Sequence, residues 1–314
     1  MPINLSISPL QHIPEHPGNR QGISLFIKRD DLLHPEIQGS KGRKLAALLP
    51  QIKQAHPAGL VTFGGAFSNH LHAVAVAGRI VDLPTVGILR GEHADLQNPT
   101  LRFCQENGMR LHRMPKTQYD ACKNQDSPLL NSLFPHCFLL PEGGNMQEAI
   151  TACAAISREI AEQLPTTTAG QKHYLCTPAG TGCTAAGMIA GLTGSDSRVL
   201  VFPVSSHGFD QETILQLLPD RATMEQRFSI VHEYSFGGFA KHHPPTMEFV
   251  RSFFTQTNIL LDPIYTAKML FGVFDMLAKG QFESGSTVVA LHTGGLQGWD
   301  GFAARYGIDT TFLF

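Results

Sequence analysis

Short apolar runs that end in glycine alternate along the chain with longer stretches of helical period, and the runs carry few polar positions. Parallel strands buried on both faces read this way, because helices cover both sides of the sheet and leave no wet face. The pattern predicts strands at 60–63, 85–89, 137–140, 174–177, 199–204 and 288–292. Helices are predicted at 44–54, 68–80, 146–164, 184–192 and 245–255, so the fold class is α/β. The stretch from Leu45 to Glu142 holds its own alternation and closes in the turn-rich PEGGN at 141–145. A second alternating set begins at Met146. Open α/β sheets bind ligands beyond the carboxyl ends of their strands, where glycine turns lead into helices. Three such ends stand out: VTFGGAFSNH, LCTPAGTGCT and VALHTGG.

With 314 residues, 42% hydrophobic and 16% charged, the chain can bury one core or two, and long-range disorder is excluded. Its 30 glycines and 20 prolines are spread out, as turns require. Twenty-four basic against 26 acidic residues, with no basic block, leave nothing to neutralise a phosphate backbone, so no nucleic-acid partner is expected. No stretch approaches the roughly 18 apolar residues of a membrane span, and the start lacks a basic, then apolar, leader. A soluble, cytoplasmic protein is the expectation, with its six cysteines reduced and no metal bound.

In IQGSKGRKLAALL, Lys41 lies between Gly39, Ser40 and Gly42, just ahead of a helix expected to start near Arg43. Small neighbours let a bulky ring approach the amine, and lysine forms Schiff bases with carbonyl cofactors; Arg43 and Lys44 supply charge that lowers its pKa. The same string also reads as a solvated helix start. In CTPAGTGCTAAGM, the amides of Gly180, Thr181, Gly182, Cys183 and Thr184 can face an anion at a helix N-terminus. The spacing is neither that of a dinucleotide nor of an NTP loop, so one compact phosphate fits best, or the turn only packs helix on sheet. In GGAFSNH, Ser68 with the helix-start amides can grip a carboxylate while Asn69 bonds a ring hydroxyl, or Ser68 merely caps the helix. Thr293 can offer a hydroxyl to a neutral ring nitrogen, and Tyr265 follows the Asp262-Pro263 turn.

The order of these motifs is more informative than any one of them. A lysine in a small-residue turn, then GG..SNH, GGN, a glycine/threonine loop, DPxYT and HTGG resembles the fold-type-II pyridoxal-phosphate enzymes from Ile27 to Gly295. More narrowly, the chain resembles the group containing D-cysteine desulfhydrase and 1-aminocyclopropane-1-carboxylate deaminase. The resemblance implies a two-domain, tryptophan-synthase-β-like fold: a large domain of 1–44 and 146–314, a small one of 45–145, and pyridoxal 5′-phosphate in the cleft. It implies a homodimer acting on a small amino acid. Lys41 matches the Schiff-base lysine of GNKxRKL, with Ser40 in place of asparagine. Asn69 matches the residue that bonds the pyridoxal hydroxyl, and Ser68 with His70 matches the substrate-carboxylate site. Residues 180–184 match the phosphate loop, Lys44 is a further phosphate neighbour, and Tyr265 is the candidate for leaving-group stabilisation or proton transfer.

The deaminase motifs read DPVYE and HLGG, whereas Thr266 and Thr293 stand here, as in desulfhydrase-like members. The expected activity is therefore β-elimination of D-cysteine to pyruvate, ammonia and sulfide, with the deaminase as the alternative. Phe239 replaces the tyrosine that lies over the substrate, and Phe67 replaces the glutamine before SNH. These two departures motivate a further alternative, a pyridoxal-phosphate-binding protein with vestigial chemistry. A Rossmann-like nucleotide binder is disfavoured by the missing dinucleotide fingerprint.

Overall fold

Every predicted apolar run becomes a strand, and the strands sort into two separate sheets in a computed structural model that describes residues 2–123, 127–205 and 208–311. One sheet contains β1 (Leu10–Ile13), β2 (Ser24–Lys28), β7 (His173–Ala179), β8 (Ser197–Pro203), β9 (Phe228–Ile230) and β10 (Thr287–Leu291) in the order β1-β2-β10-β7-β8-β9. Only the β1–β2 pairing is antiparallel. The second sheet, wholly parallel, contains β3 (Leu60–Gly64), β4 (Thr85–Arg90), β5 (Arg110–Met114) and β6 (Phe138–Leu139) in the order β5-β4-β3-β6. Both β3 and β10 are buried at all five positions, as a parallel strand covered on two faces must be.

The helices, in chain order, are α1 (Gly39–Ala55), α2 (Asn69–Val81), α3 (Pro99–Glu106), α4 (Lys116–Cys122), α5 (Pro128–Leu133) and α6 (Gln147–Gln163). They continue as α7 (Cys183–Ala190), α8 (Gln211–Leu215), α9 (Arg221–Met224), α10 (Pro244–Thr257), α11 (Thr266–Ala278) and α12 (Gly298–Tyr306). Among the described residues no helix is long and apolar enough to cross a membrane. Two glycines let α7 press on α6: a Cβ at Gly187 would lie 2.4 Å from Cβ of Cys153, and one at Gly191 would lie 2.1 Å from the Ala154 carbonyl oxygen.

Helix α1 corrects the sequence reading. It begins at Gly39 rather than near Arg43, so Lys41 stands inside its first turn. The flanking glycines are there for close approach: Gly39 has φ 66°, and a Cβ on Gly42 would lie 2.8 Å from the Ile37 carbonyl oxygen. The helix also runs unbroken through the expected domain edge at 44/45 and packs on both α6 and α2, with Pro50 in its interior.

A buried ion cluster fixes the start of α1. Arg43 donates to both oxygens of Asp30 at 2.7 and 2.8 Å and to both oxygens of Glu159 on α6 at 2.6 and 2.8 Å. Lys28, fully buried at the end of β2, pairs with Glu159 at 2.8 Å and donates to the Ser8 carbonyl at 2.6 Å. Removing Arg43 leaves the fully buried Asp30 charged and without its partner. Arg43→Met is therefore expected to lower the unfolding free energy by about 3–5 kcal/mol, read from the urea midpoint.

Candidate active site

The carboxyl ends of β3, β7 and β10 open into one cavity of about 540 Å³. It brings together Lys41, Lys44, Ser68, Asn69, His70, the loop 180–184, Phe239, Tyr265 and Thr293, most of the residues that the sequence motifs single out. Strands from both sheets contribute, so the cavity is the cleft between them.

Lys41 reaches this cleft because Gly39 lies directly on the end of β10. A Cβ at Gly39 would sit 1.7 Å from the Thr293 carbonyl oxygen, so only glycine allows the two backbones to meet. Burial, and then the Lys44 charge, push the Lys41 amine down to about 8. Lys44, three residues on and buried, donates to the Gly143 carbonyl at 3.4 Å. It also lies beside the Cys183 thiol, which the hydrogen bond from Cys153 and the Lys44 charge hold below the ordinary cysteine range.

The loop after β7 turns at Gly182, whose φ of 87° makes it the left-handed N-cap of α7. With eight residues in α7, its first amides present a positive end to whatever occupies the cleft. Thr181 is exposed to the cleft and Thr184 is buried against it.

Ser68 does cap α2: its hydroxyl accepts from the Leu71 amide at 3.2 Å. The cap uses a lone pair, so the hydroxyl proton stays available to a ligand. Asn69 accepts from Gln297 at 3.0 Å, and its amide nitrogen rests against Gly295, where a Cβ would come within 2.6 Å. His70 has a defined tautomer. The Thr62 hydroxyl donates to the Leu140 carbonyl at 2.9 Å, so it must accept from Nε2 of His70, also at 2.9 Å. That leaves Nδ1 as a buried acceptor with no partner. Burial and the two lysine charges keep the ring neutral, well below the usual histidine range. A neutral ring with a bare acceptor receives a hydrogen bond rather than gripping a carboxylate, so at this strand end the groups able to meet an anion are the Ser68 hydroxyl and the α2 amides.

Asp262 organises the opposite wall. Its two oxygens accept from the amides of Ile264, Tyr265 and Thr266, and from the Thr266 hydroxyl at 2.6 Å. Thr266 is fully buried in this arrangement and does not line the cavity, so of the two threonines the sequence singled out only Thr293 faces it. Tyr265 does line the cavity, with burial and then the Asp262 charge pushing its phenol far up, which keeps the proton on. Its hydroxyl lies by Gly180: a Cβ there would be 3.3 Å away.

Three contributors escaped the sequence reading. Lys268, pushed down to about 8 by burial, donates to the Ser235 and Gly238 carbonyls at 2.7 and 2.6 Å and holds the loop that carries Phe239. Gly301 on α12 receives the Phe67 ring, and Gln297 orients Asn69. Each is distant in sequence from its partner, and no local motif marks it.

A family model described as "Pyridoxal-phosphate dependent enzyme" matches residues 4–294. A bifunctional D-cysteine desulfhydrase/1-aminocyclopropane-1-carboxylate deaminase of Arabidopsis thaliana is 29% identical, covering 90% of this chain and 75% of that protein. A 1-aminocyclopropane-1-carboxylate deaminase of Bradyrhizobium sp. (strain BTAi1) is 23% identical over 97% and 96% of the two chains. Among solved structures, an ACC deaminase homologue superposes with a TM-score of 0.77 at 24% identity, over 96% and 94% of the two chains. Threonine deaminase isoform 2 from Solanum lycopersicum superposes at 0.66 with 15% identity, over 97% and 84%. At these identities the solved structures establish a shared fold, the two-domain type II architecture.

The environment of Lys41 sets a measurable reactivity. Only the neutral amine is a nucleophile, so its labelling by an amine reagent, followed by peptide mass spectrometry, is expected to rise with pH to a midpoint near 8, against 10.5 for ordinary lysine. Lys44→Met removes a like charge and is expected to move that midpoint upward.

Proposed function

The chain belongs to the pyridoxal-phosphate-dependent enzymes and takes pyridoxal phosphate as its cofactor, and we propose that it catalyses the β-elimination of D-cysteine to pyruvate, ammonia and sulfide. The observation that carries this reading is the meeting in one cleft of an amine of lowered pKa, the glycine loop at the start of α7, the Ser68 turn at the start of α2 and a protonated phenol.

The residues fit the cofactor. Lys41 offers the amine for its aldehyde, and the amides of 180–184 with Lys44 complement a phosphate. The unpartnered Nδ1 of His70 is an acceptor for a ring hydroxyl, with Asn69 on the same helix turn, and Thr293 offers a hydroxyl rather than a carboxylate to the ring nitrogen. When bound, pyridoxal phosphate supplies an electron sink for the pair left on Cα. A ring nitrogen facing a hydroxyl makes a weaker sink than one facing a carboxylate, which suffices when a good leaving group departs from Cβ. This favours elimination over the opening of a cyclopropane.

The protein's own groups divide the work. The Ser68 hydroxyl and the α2 amides hold the substrate carboxylate. Lys41, once free of the cofactor, takes the proton from Cα, and its lowered pKa leaves the amine ready to do so near neutral pH. Tyr265 keeps its proton and so can offer a hydrogen bond that stabilises the departing sulfur. The same reading expects a cytoplasmic homodimer.

The test is the visible spectrum of the holoenzyme during addition of D-cysteine, with pyruvate assayed in the same sample. A shift of the lysine-bound cofactor band with accumulating pyruvate is expected. Lys41→Ala should abolish turnover, and Tyr265→Phe should lower kcat by about 10²–10⁴-fold. Faster formation of 2-oxobutyrate from 1-aminocyclopropane-1-carboxylate would replace the proposal with the deaminase. A cofactor band that no amino acid displaces would replace it with a binding protein.

A further inference from the structure

Two large aromatic side chains of the cleft stay exposed although nothing polar about them calls for water. Phe67 is 41% exposed and Phe239 is 52% exposed, and both line the cavity that holds Lys41. Isolated surface apolar residues need no explanation, but these two are held in place by specific structure.

Phe67 lies between the end of β3 and the Ser68 cap, and its ring packs against α12 at Gly301. A Cβ at Gly301 would come within 2.2 Å of that ring, so the seat exists only because position 301 is bare. Phe239 sits on a loop in which Phe236, Gly237, Gly238 and Ala240 all have positive φ, two of them non-glycine residues for which that region is costly. The loop is clamped rather than loose. Lys268 donates to the Ser235 and Gly238 carbonyls, the Tyr306 hydroxyl donates to the Ala240 carbonyl at 3.0 Å, and the Phe236 ring stacks on His243 at 3.9 Å. The result presents the Phe239 ring edge-on to Tyr265, 5.9 Å between centroids. Both rings are thus braced against α12, at Gly301 and through Tyr306, and Phe302 between those positions also lines the cavity. Backbone strain and a buried lysine spent on exposing a ring indicate a surface that a ligand covers.

We infer that Phe67 and Phe239 form an apolar subsite for the far end of the substrate side chain, so that the preferred substrate is a cysteine whose sulfur carries an apolar, aromatic-sized substituent. This rests on the elimination reading and narrows its leaving group from sulfide to a thiol. The step balances without an oxidant or reductant. The Cα–H and Cβ–S bonds break, Lys41 takes the Cα proton, and sulfur leaves with the bonding pair and gains a proton as the thiol. One water then completes pyruvate and ammonia. A thioether buries its substituent against the two rings, whereas a bare thiol leaves both wet.

Binding separates the subsite from the chemistry. Isothermal titration of the holoenzyme with both enantiomers of phenylalanine and alanine, neither of which has a group to eliminate, is expected to show phenylalanine of the accepted hand binding at least roughly tenfold tighter than alanine of that hand. Phe67→Ala and Phe239→Ala should each reduce this preference by about fivefold or more, while alanine affinity stays within about twofold. In parallel, pyruvate release should show a higher kcat/KM for S-benzyl-D-cysteine than for D-cysteine. Alanine binding as tightly as phenylalanine in the unaltered protein, or a preference untouched in both folded variants, overturns the subsite. Pyruvate from D-cysteine with no apolar preference overturns the subsite alone and leaves the elimination standing. A clear preference with no pyruvate from either substrate overturns the elimination and the proposed leaving group, leaving an apolar amino-acid site.

Discussion

The site depends on one backbone contact, that of Gly39 upon Thr293. Because nothing but hydrogen fits between them, the first turn of α1 is held to the end of β10, and the positions of Lys41 and Thr293 cannot vary independently. One residue carries the amine and the other the hydroxyl expected at the far side of the same ring, so a single steric constraint sets the span between them. The Arg43 cluster secures the contact from below by fastening α1 to β2's exit and to α6. Glycine is required here for what it lacks, and the cluster supplies the attraction that glycine cannot.

Charge in the cleft is arranged to stay unbalanced. Lys41 and Lys44 face each other's field, His70 is neutral with a bare acceptor, and Asp262 spends its oxygens on the start of α11. The lining therefore favours an anion bearing a hydrogen-bond donor, which describes a phosphorylated hydroxypyridine well. The same surplus of positive charge lowers the lysine that must give up a proton to react.

Much of this was legible in the sequence, and the exceptions have physical causes. The six predicted strands were visible because strands buried on both faces are continuous apolar runs, and the cleft motifs because glycine turns are local. Strand β2 was hidden because it runs into the charges of IKRDD, which the structure buries in pairs, Lys28 with Glu159 and Asp30 with Arg43. Strand β5, RLHRM, lies at a sheet edge with a single buried residue and so lacks a pattern. The start of α1 was misplaced because Gly39 and Gly42 look like loop residues when their service is close packing. Thr266 marks a departure from the deaminase motif DPVYE in the sequence, but only the structure shows that its hydroxyl is taken by Asp262. Lys268, Gly301 and Gln297 matter only through partners 30 or more positions away, a relation that no local pattern records.

Pro50 gives α1 an uneven stiffness along its length. Lacking an N–H, it removes the bond that would tie its turn to the Ala46 carbonyl, so the helix bends most easily there. The eleven residues before it, Gly39 to Leu49, carry Lys41 and the Arg43 that ties the helix to Asp30 and to Glu159 on α6. At about 1.5 Å of rise per residue, that pivot lies some 13 Å from the amine-bearing turn. The missing bond thus falls beyond the segment that the Arg43 cluster fastens, so whatever bend it permits leaves the turn that carries Lys41 seated on Thr293.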